Sequence, residues 1–150
     1  MNEINKAVTD DTGKVMNFLL DRADTVRLRD DRVAPSLFRR IFDRKELRRA
    51  NELLAGILER FPPMRKASLR VLYGDDRVYD QEYNHYFFKV TPAFKKVLLN
   101  GLKEGELDGL TDPVFYRNGK KIAYLVQHES LYVLSSNIVS AVKKLINTVR

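Results

Sequence analysis

Paired cations recur along one short stretch of the chain. They are Arg39, Arg40, Arg44, Lys45, Arg48 and Arg49. A guanidinium group can fork onto two phosphate oxygens at once, so a row of such groups is typical of a protein that binds a polyanion. Four further cations, Arg29, Arg32, Arg65 and Lys66, flank the stretch and would extend the same basic surface. These residue types predict contacts with phosphates.

The net charge of +7 is concentrated in this part of the chain. Residues 22–70 contain 14 Lys and Arg against 7 Asp and Glu, and the remaining residues contain 13 of each sign. Twelve of the 14 cations are Arg, which favours a polyanion binder. A solvated helix face would also be rich in charge, so an interpretation without any ligand stays open.

Other residues that could do chemistry form no recognisable pattern. The two histidines, His85 and His128, are too far apart in sequence for a zinc-hydrolase motif. The acidic residues between Asp75 and Glu82 match no metal-binding loop. There is no cysteine, no G-x-S-x-G, no P-loop and no G-x-G-x-x-G. We therefore expect no cofactor, no bound metal and no catalytic residue.

The elements that would position the cations are helices in the first part of the chain. Apolar residues at steps of three and four predict helices over about 12–28, 36–42 and 44–61. Asp43 and Glu46 have the spacing of a capping box, and Pro62-Pro63 ends the third helix. Residues 1–11 are interpreted as a loosely docked arm, and residues 27–32 as a charged connector.

The second part of the chain has a mixed pattern. We predict strands near 67–73 and 85–90, and a helix over about 92–103 that Thr91 caps and Pro92 begins. Asn118-Gly119 predicts a type I′ hairpin turn within a three-strand meander over about 114–134, followed by a C-terminal helix. The seven tyrosines, all between Tyr73 and Tyr132, could stack on bases if exposed, but we interpret them as half-buried strand residues. The prediction is one α+β domain over 1–150, with a basic helical half at 12–61 and a mixed neutral half at 67–150.

Hairpin, third strand and closing helix together resemble the C-terminal meander of RelE-type ribonuclease toxins in topology and hydrophobic pattern. The resemblance covers only these last elements, carries over no active-site residue, and is interrupted by a long middle insertion. It implies metal-independent RNA cleavage as one possible activity.

The leading hypothesis is a small, non-enzymatic nucleic-acid-binding protein that contacts phosphates of DNA or RNA through its arginine-rich helix. The helix at 44–61 could enter a groove as part of a helix-turn-helix-like unit, or it could lie along the phosphate backbone, which we favour. One alternative is a protein-interaction module, an adaptor or inhibitor, that binds an acidic partner surface. Another is the ribonuclease just named. No apolar run is long enough to span a membrane and the N-terminus is polar, so we expect a cytoplasmic protein without a membrane partner.

Overall fold

A seven-stranded antiparallel sheet with four helices forms the part of the chain that the computed structural model describes, residues 4–8, 12–30, 44–71, 78, 82–103, 112–126 and 131–147. The elements in chain order are β1 Ile4–Val8, α1 Thr12–Arg22, β2 Thr25–Asp30, α2 Arg44–Arg60, β3 Arg65–Leu69, β4 Tyr83–Lys89, α3 Pro92–Lys103, β5 Val114–Arg117, β6 Lys120–Val126, β7 Leu131–Ser135 and α4 Ser136–Asn147. The strand order is β1-β7-β6-β5-β2-β4-β3, so β1 and β3 are the two edge strands. This architecture confirms the predicted α+β class.

One face of the sheet carries the main hydrophobic core. Alternation along the strands sends Val26 and Leu28 of β2 and Phe88 of β4 to this face, where all three are buried. The helices contribute their apolar stripes to the same cluster, for example Leu19 of α1 and Leu98 of α3. We call this the helix face and the opposite side the second face.

The second face is also buried, but its composition changes across the sheet. A small apolar cluster of Val114, Tyr124, Val126 and Val133 covers β5, β6 and β7. Toward β2 and β4 the buried residues of this face become charged and polar, with Arg27, Arg29 and His85 at 5%, 3% and 1% exposure. Buried arginine is rare unless it is paired, so this half of the face needs an explanation.

The first helix begins at Thr12 as predicted, but its predicted end and the predicted connector are wrong. The predicted helix over 12–28 ends at Arg22, and the predicted connector overlaps β2, a central strand between β5 and β4. The chain turns from α1 into β2 at Asp24. The amide of Asp24 donates to the carbonyl of Tyr116, and its carbonyl accepts from the amide of Val90. Pairing on both sides therefore overrides the helical spacing that Val15, Leu19, Ala23 and Val26 share.

The N-terminal arm is likewise more ordered than predicted, because Ile4–Val8 pairs with β7 as an edge strand. The predicted helix over 36–42 lies outside the described residues. The helices at 44–61, 92–103 and the C-terminus are confirmed to within a residue at each described end. Among the described helices, none has both the length and the apolar composition needed to cross a bilayer.

The hairpin and meander are confirmed. Asn118 and Gly119 have φ of 50° and 76°, the left-handed values that a type I′ turn requires. A register shift between Phe115 and Tyr116 marks a bulge beside the turn. The middle strand of the meander is buried from Ile122 to Val126, as its apolar composition on both faces predicts.

Candidate nucleic-acid interface

The predicted basic helix exists as α2, and two of its apolar positions, Leu54 and Ile57, are buried in the core. The backbone of Arg44, Lys45, Arg48 and Arg49 lies in this helix, while their side chains lie outside the described part of the structure. Arg39 and Arg40 lie outside it altogether. The interface predicted on these six residues stays a prediction. The next described cations along the chain are Arg60, in the last turn of α2, and Arg65 and Lys66 beyond it.

Arg65 and Lys66 open the edge strand β3, and both side chains are exposed. Strand alternation sends them to opposite faces of the sheet. Arg65 lies directly opposite Phe87, with its guanidinium carbon 4.0 Å from the ring centroid. Lys66 lies opposite Tyr86, with Nζ 5.8 Å from that centroid. The two adjacent cations are thus held by aromatic rings of β4 on either side of the edge.

One acidic residue, Glu82, lies beside the far end of β3, although it precedes β4 in the chain. Glu82 accepts a hydrogen bond from Ser68 Oγ at 3.0 Å, and its other oxygen lies 3.6 Å from Arg70 Nε. Arg70 and Glu82 are 59% and 58% exposed, so water screens this ion pair strongly. We call Arg65, Lys66 and Arg70 the β3 edge cations.

A short segment joins α2 to β3 and fixes the position at which the edge strand β3 begins. Phe61 packs edge-on against Phe94 at 5.5 Å, and the amide of Met64 donates to the carbonyl of Phe87 at 2.7 Å. Met64 itself is 55% exposed, which is unusual for a large apolar side chain. The basic helix and the basic edge therefore follow one another with only this anchored turn between them.

Sequence reasoning missed a second group of charged and polar residues, which lies on the second face across β4, β2 and β5. We call Arg27, Arg29, His85, Asp112 and Tyr116 the arginine layer. Arg27 Nη1 donates to Tyr116 Oη at 3.0 Å, and Arg29 Nη2 lies 3.4 Å from Asp112 Oδ2. Arg29 was predicted to extend the exposed basic surface, and that prediction is wrong because its side chain is only 3% exposed. Arg32, predicted with it, lies outside the described residues.

The missed signal was the alternation of residues 25–30, Thr-Val-Arg-Leu-Arg-Asp. Apolar Val26 and Leu28 alternate with Arg27 and Arg29, which is the period of a strand. Because charged residues usually mark the solvated side, the pattern indicated a surface segment. The arginines lie inside with partners that are distant in sequence: Arg29 pairs with Asp112, 83 positions later, and Arg27 Nη1 donates to Tyr116 Oη.

His85 lies at the centre of this layer and has two unequal nitrogens. Nε2 is 3.0 Å from the carbonyl oxygen of Val71, and since a carbonyl only accepts, Nε2 carries the proton. Nδ1 is then a bare acceptor, buried without a hydrogen-bond partner among the described residues. Burial lowers the pKa of His85 from 6.5 to about 3, the charges of Arg27 and Arg29 act in the same direction, and the bond to Val71 opposes them. The imidazole is therefore neutral at ordinary pH.

The described tyrosines are strand residues, as predicted, but most are buried more deeply than the half-buried state that was predicted. Tyr83, Tyr86, Tyr124 and Tyr132 are buried and Tyr116 is half-buried. None of these five therefore offers an open ring for base stacking, and Phe87 is already covered by Arg65. Within the described ranges no three of His, Asp and Glu come together in a way that could hold a metal ion. The β3 edge cations therefore remain as described groups that a ligand could contact, and they carry positive charge.

Comparison with known proteins gives no relative: no family model, curated protein or solved structure matches the chain. The functional assignment consequently depends on the residues and their geometry.

Proposed function

We propose that this protein binds nucleic acid through phosphate contacts, with the β3 edge cations as the described part of the interface and the arginine-rich start of α2 as its continuation. The observation that supports it best is the pair Arg65 and Lys66, adjacent, exposed and each seated on an aromatic ring. A long cationic side chain loses rotamer entropy when it binds, and one already held by a ring loses less.

The location on an edge strand supports the same function. Among the described strands, β4 alone borders β3, so Arg65 and Lys66 lie at the edge of the sheet, where they can meet a polyanion that runs along it. Arg60, in the last turn of α2, and Arg70, just after β3, are exposed at either end of the same segment. The cations predicted at 39–49 would lengthen this line, and we propose that they do so. We propose a cytoplasmic location for this activity.

Two double variants with equal charge change test the proposal. Arg65→Gln with Lys66→Gln removes two charges at the β3 edge, and Lys143→Gln with Lys144→Gln removes two from α4, which packs at the β1 and β7 end of the sheet. Both pairs are adjacent and exposed. Fluorescence anisotropy with a labelled duplex and a labelled single strand, at several salt concentrations, measures the affinity and its salt slope.

We expect the wild type to bind both probes with a steep salt dependence. For every phosphate that the β3 variant no longer binds, the log–log slope should flatten by about 0.9 for duplex DNA and about 0.7 for a single strand. The α4 variant should keep the wild-type slope. A wild type that shows no salt-dependent binding overturns the proposal, and so does an equal effect of the two variants.

The other two functions compatible with the sequence are separated by the same samples. Binding to an acidic polypeptide with no binding to nucleic acid favours the protein-interaction module. A labelled single-stranded RNA, incubated with the same samples and a chelator, tests the third function. Shortening of this RNA favours the metal-independent ribonuclease, and an unchanged length favours binding without cleavage.

A further inference from the structure

Glu82 contacts two donors at the far end of the β3 edge. One of its carboxylate oxygens accepts from Ser68 Oγ at 3.0 Å, and the other lies 3.6 Å from Nε of Arg70. The register accounts for this position, because Leu69 pairs with Tyr83 in the last pair of β3 and β4. Arg70 and Glu82 are the next residues of these two segments. The sheet therefore brings a carboxylate to a hydroxyl and a guanidinium group.

This carboxylate interrupts the positive charge of the edge. From residue 60 to residue 71 the chain has four cations and no acidic residue, and Glu82 comes from a different segment. Lys66 and Ser68 lie on the same side of β3, since they are two positions apart, about 7 Å along the strand. A polyanion that runs along this side from Lys66 meets Ser68 and Arg70 next, where Glu82 already makes its two contacts.

The two groups that Glu82 contacts are ligands that proteins use for phosphate. Serine hydroxyls and arginine guanidinium groups both bind phosphate oxygens in complexes with nucleic acids, and the arginine contact is charge-assisted. The ion pair that a phosphate would have to break is weak, because Arg70 and Glu82 are 59% and 58% exposed and water screens their attraction. A phosphate oxygen can therefore replace the carboxylate oxygens of Glu82.

We propose that Ser68 and Arg70 form a phosphate-binding position that Glu82 occupies in the free protein, so that nucleic acid displaces the carboxylate when it binds. This inference rests on the proposed function and adds two residues to it. Ser68 is a further phosphate ligand, and Glu82 is an internal competitor that lowers the affinity of the edge for nucleic acid. Removal of the competitor should tighten binding, which a damaged fold would not do.

Glu82→Gln tests the competition, because the amide keeps the length of the side chain and an oxygen for Ser68 but removes the charge. In fluorescence anisotropy we expect this variant to bind a labelled single strand about two- to fivefold more tightly than the wild type, the range that an exposed ion pair is worth. Urea unfolding of the variant shows whether its stability is unchanged.

Asp21→Asn is the matched control. Asp21 is 58% exposed, as Glu82 is, and its carboxylate pairs with Lys95 between α1 and α3. α1 packs against β5, which is three strands from β3, or about 14 Å. The control makes the same charge change at this distance, where salt screens it, so its affinity should stay within about twofold of the wild type.

Two further variants test the ligands of the phosphate. Arg70→Gln removes an ionic contact, so the log–log salt slope for the single strand should flatten by about 0.7. Ser68→Ala removes a neutral donor, so it should weaken binding by about two- to tenfold and leave the slope unchanged. The position therefore has three different signatures: a gain at Glu82, a flatter slope at Arg70 and a parallel loss at Ser68.

The outcomes separate this inference from the function on which it rests. Salt-dependent binding in which Glu82→Gln is no tighter than Asp21→Asn overturns the displacement of Glu82 and leaves phosphate binding at the β3 edge intact. A wild-type salt slope in Arg70→Gln also overturns the phosphate position. Absence of salt-dependent binding by the wild type overturns the proposed function itself.

Discussion

Arg29 and Asp112 form an ion pair inside the protein, with Nη2 and Oδ2 3.4 Å apart and the side chains only 3% and 6% exposed. Asp112 has a φ of 36°, a backbone conformation that Asp and Asn tolerate better than most residues. The pair therefore joins β2 to the start of the meander at a backbone position suited to a short polar side chain. Removal of one partner would leave a buried charge, which is far more costly than loss of a surface pair.

The first prediction compares this pair with an exposed one. Asp112→Asn keeps the backbone preference and removes the carboxylate charge, and we expect it to lower the free energy of unfolding by about 3 kcal/mol or more. Arg70→Gln breaks the exposed pair with Glu82 and should cost less than about 1 kcal/mol. Urea unfolding of both variants measures the difference. Similar small losses would mean that Asp112 is not the main counter-charge of Arg29.

The Arg29–Asp112 pair is also an example of a feature that the sequence alone could not predict, because its partners are far apart in the chain. Elements defined by local chemistry were predicted well: Thr91 caps α3 by accepting from the amide of Phe94 at 3.1 Å, and Asn118-Gly119 forms the expected turn. β2 was not predicted, because its strand state depends on pairing with β4 and β5, more than 50 positions away. Local spacing carries no information about such partners.

The charged residues of the candidate site likewise fall into a group that the sequence predicted and a group that it did not. Arg65 and Lys66 are exposed and were proposed from charge alone. The arginine layer could not be predicted, since Arg27 and Arg29 lie on β2 and His85 lies on β4, and only the sheet register brings them together. A histidine whose neighbours in sequence are Asn84 and Tyr86 gives no sign that two guanidinium groups lie beside it.

The second prediction concerns the hairpin turn. At Gly119 φ is 76°, so any residue that replaces this glycine must hold its backbone in the left-handed conformation. Gly119→Ala should therefore lower the free energy of unfolding by about 1 kcal/mol. Gly56→Ala makes the same chemical change inside α2, where an added Cβ meets nothing within 4 Å, and should raise stability by about 0.5–1 kcal/mol. Unfolding midpoints that move in opposite directions are the expected result. A midpoint for Gly119→Ala at or above that of the wild type would contradict the left-handed turn.

The third prediction follows from the lowered pKa of His85. The unfolded chain takes up a proton near pH 6.5, while the folded chain resists it until about pH 3, so the unfolded state binds more protons between these values. The stability that neutral His85 contributes is fully present above pH 6.5 and is lost as the pH falls toward 3. In this range the free energy of unfolding should fall by up to about 1.4 kcal/mol for each pH unit.

Urea unfolding between pH 7.5 and pH 5 measures this slope before most carboxylates titrate. His85→Phe should flatten it, and His128→Phe, the same change at the other histidine, serves as the comparison. An unchanged slope in His85→Phe would show that folding does not lower the pKa of His85.

The last prediction uses two tyrosine hydroxyls that differ in their partners. Tyr132 is fully buried, its hydroxyl oxygen has no hydrogen-bond partner among the residues that the structure describes, and burial raises the pKa of its phenol. Tyr116 Oη instead accepts from Arg27 Nη1 at 3.0 Å. Tyr132→Phe deletes a polar atom that no described residue satisfies and should raise the free energy of unfolding by about 1 kcal/mol. Tyr116→Phe removes one partner of a buried guanidinium and should lower it by about 1–3 kcal/mol. The same atom is deleted in both variants, so changes in side-chain volume cancel in the comparison. Urea unfolding at one pH gives the sign of each effect.

A loss of stability in Tyr132→Phe would mean that its hydroxyl is satisfied in solution, for instance by an internal water, and that the core beneath α4 is more polar than its side chains indicate.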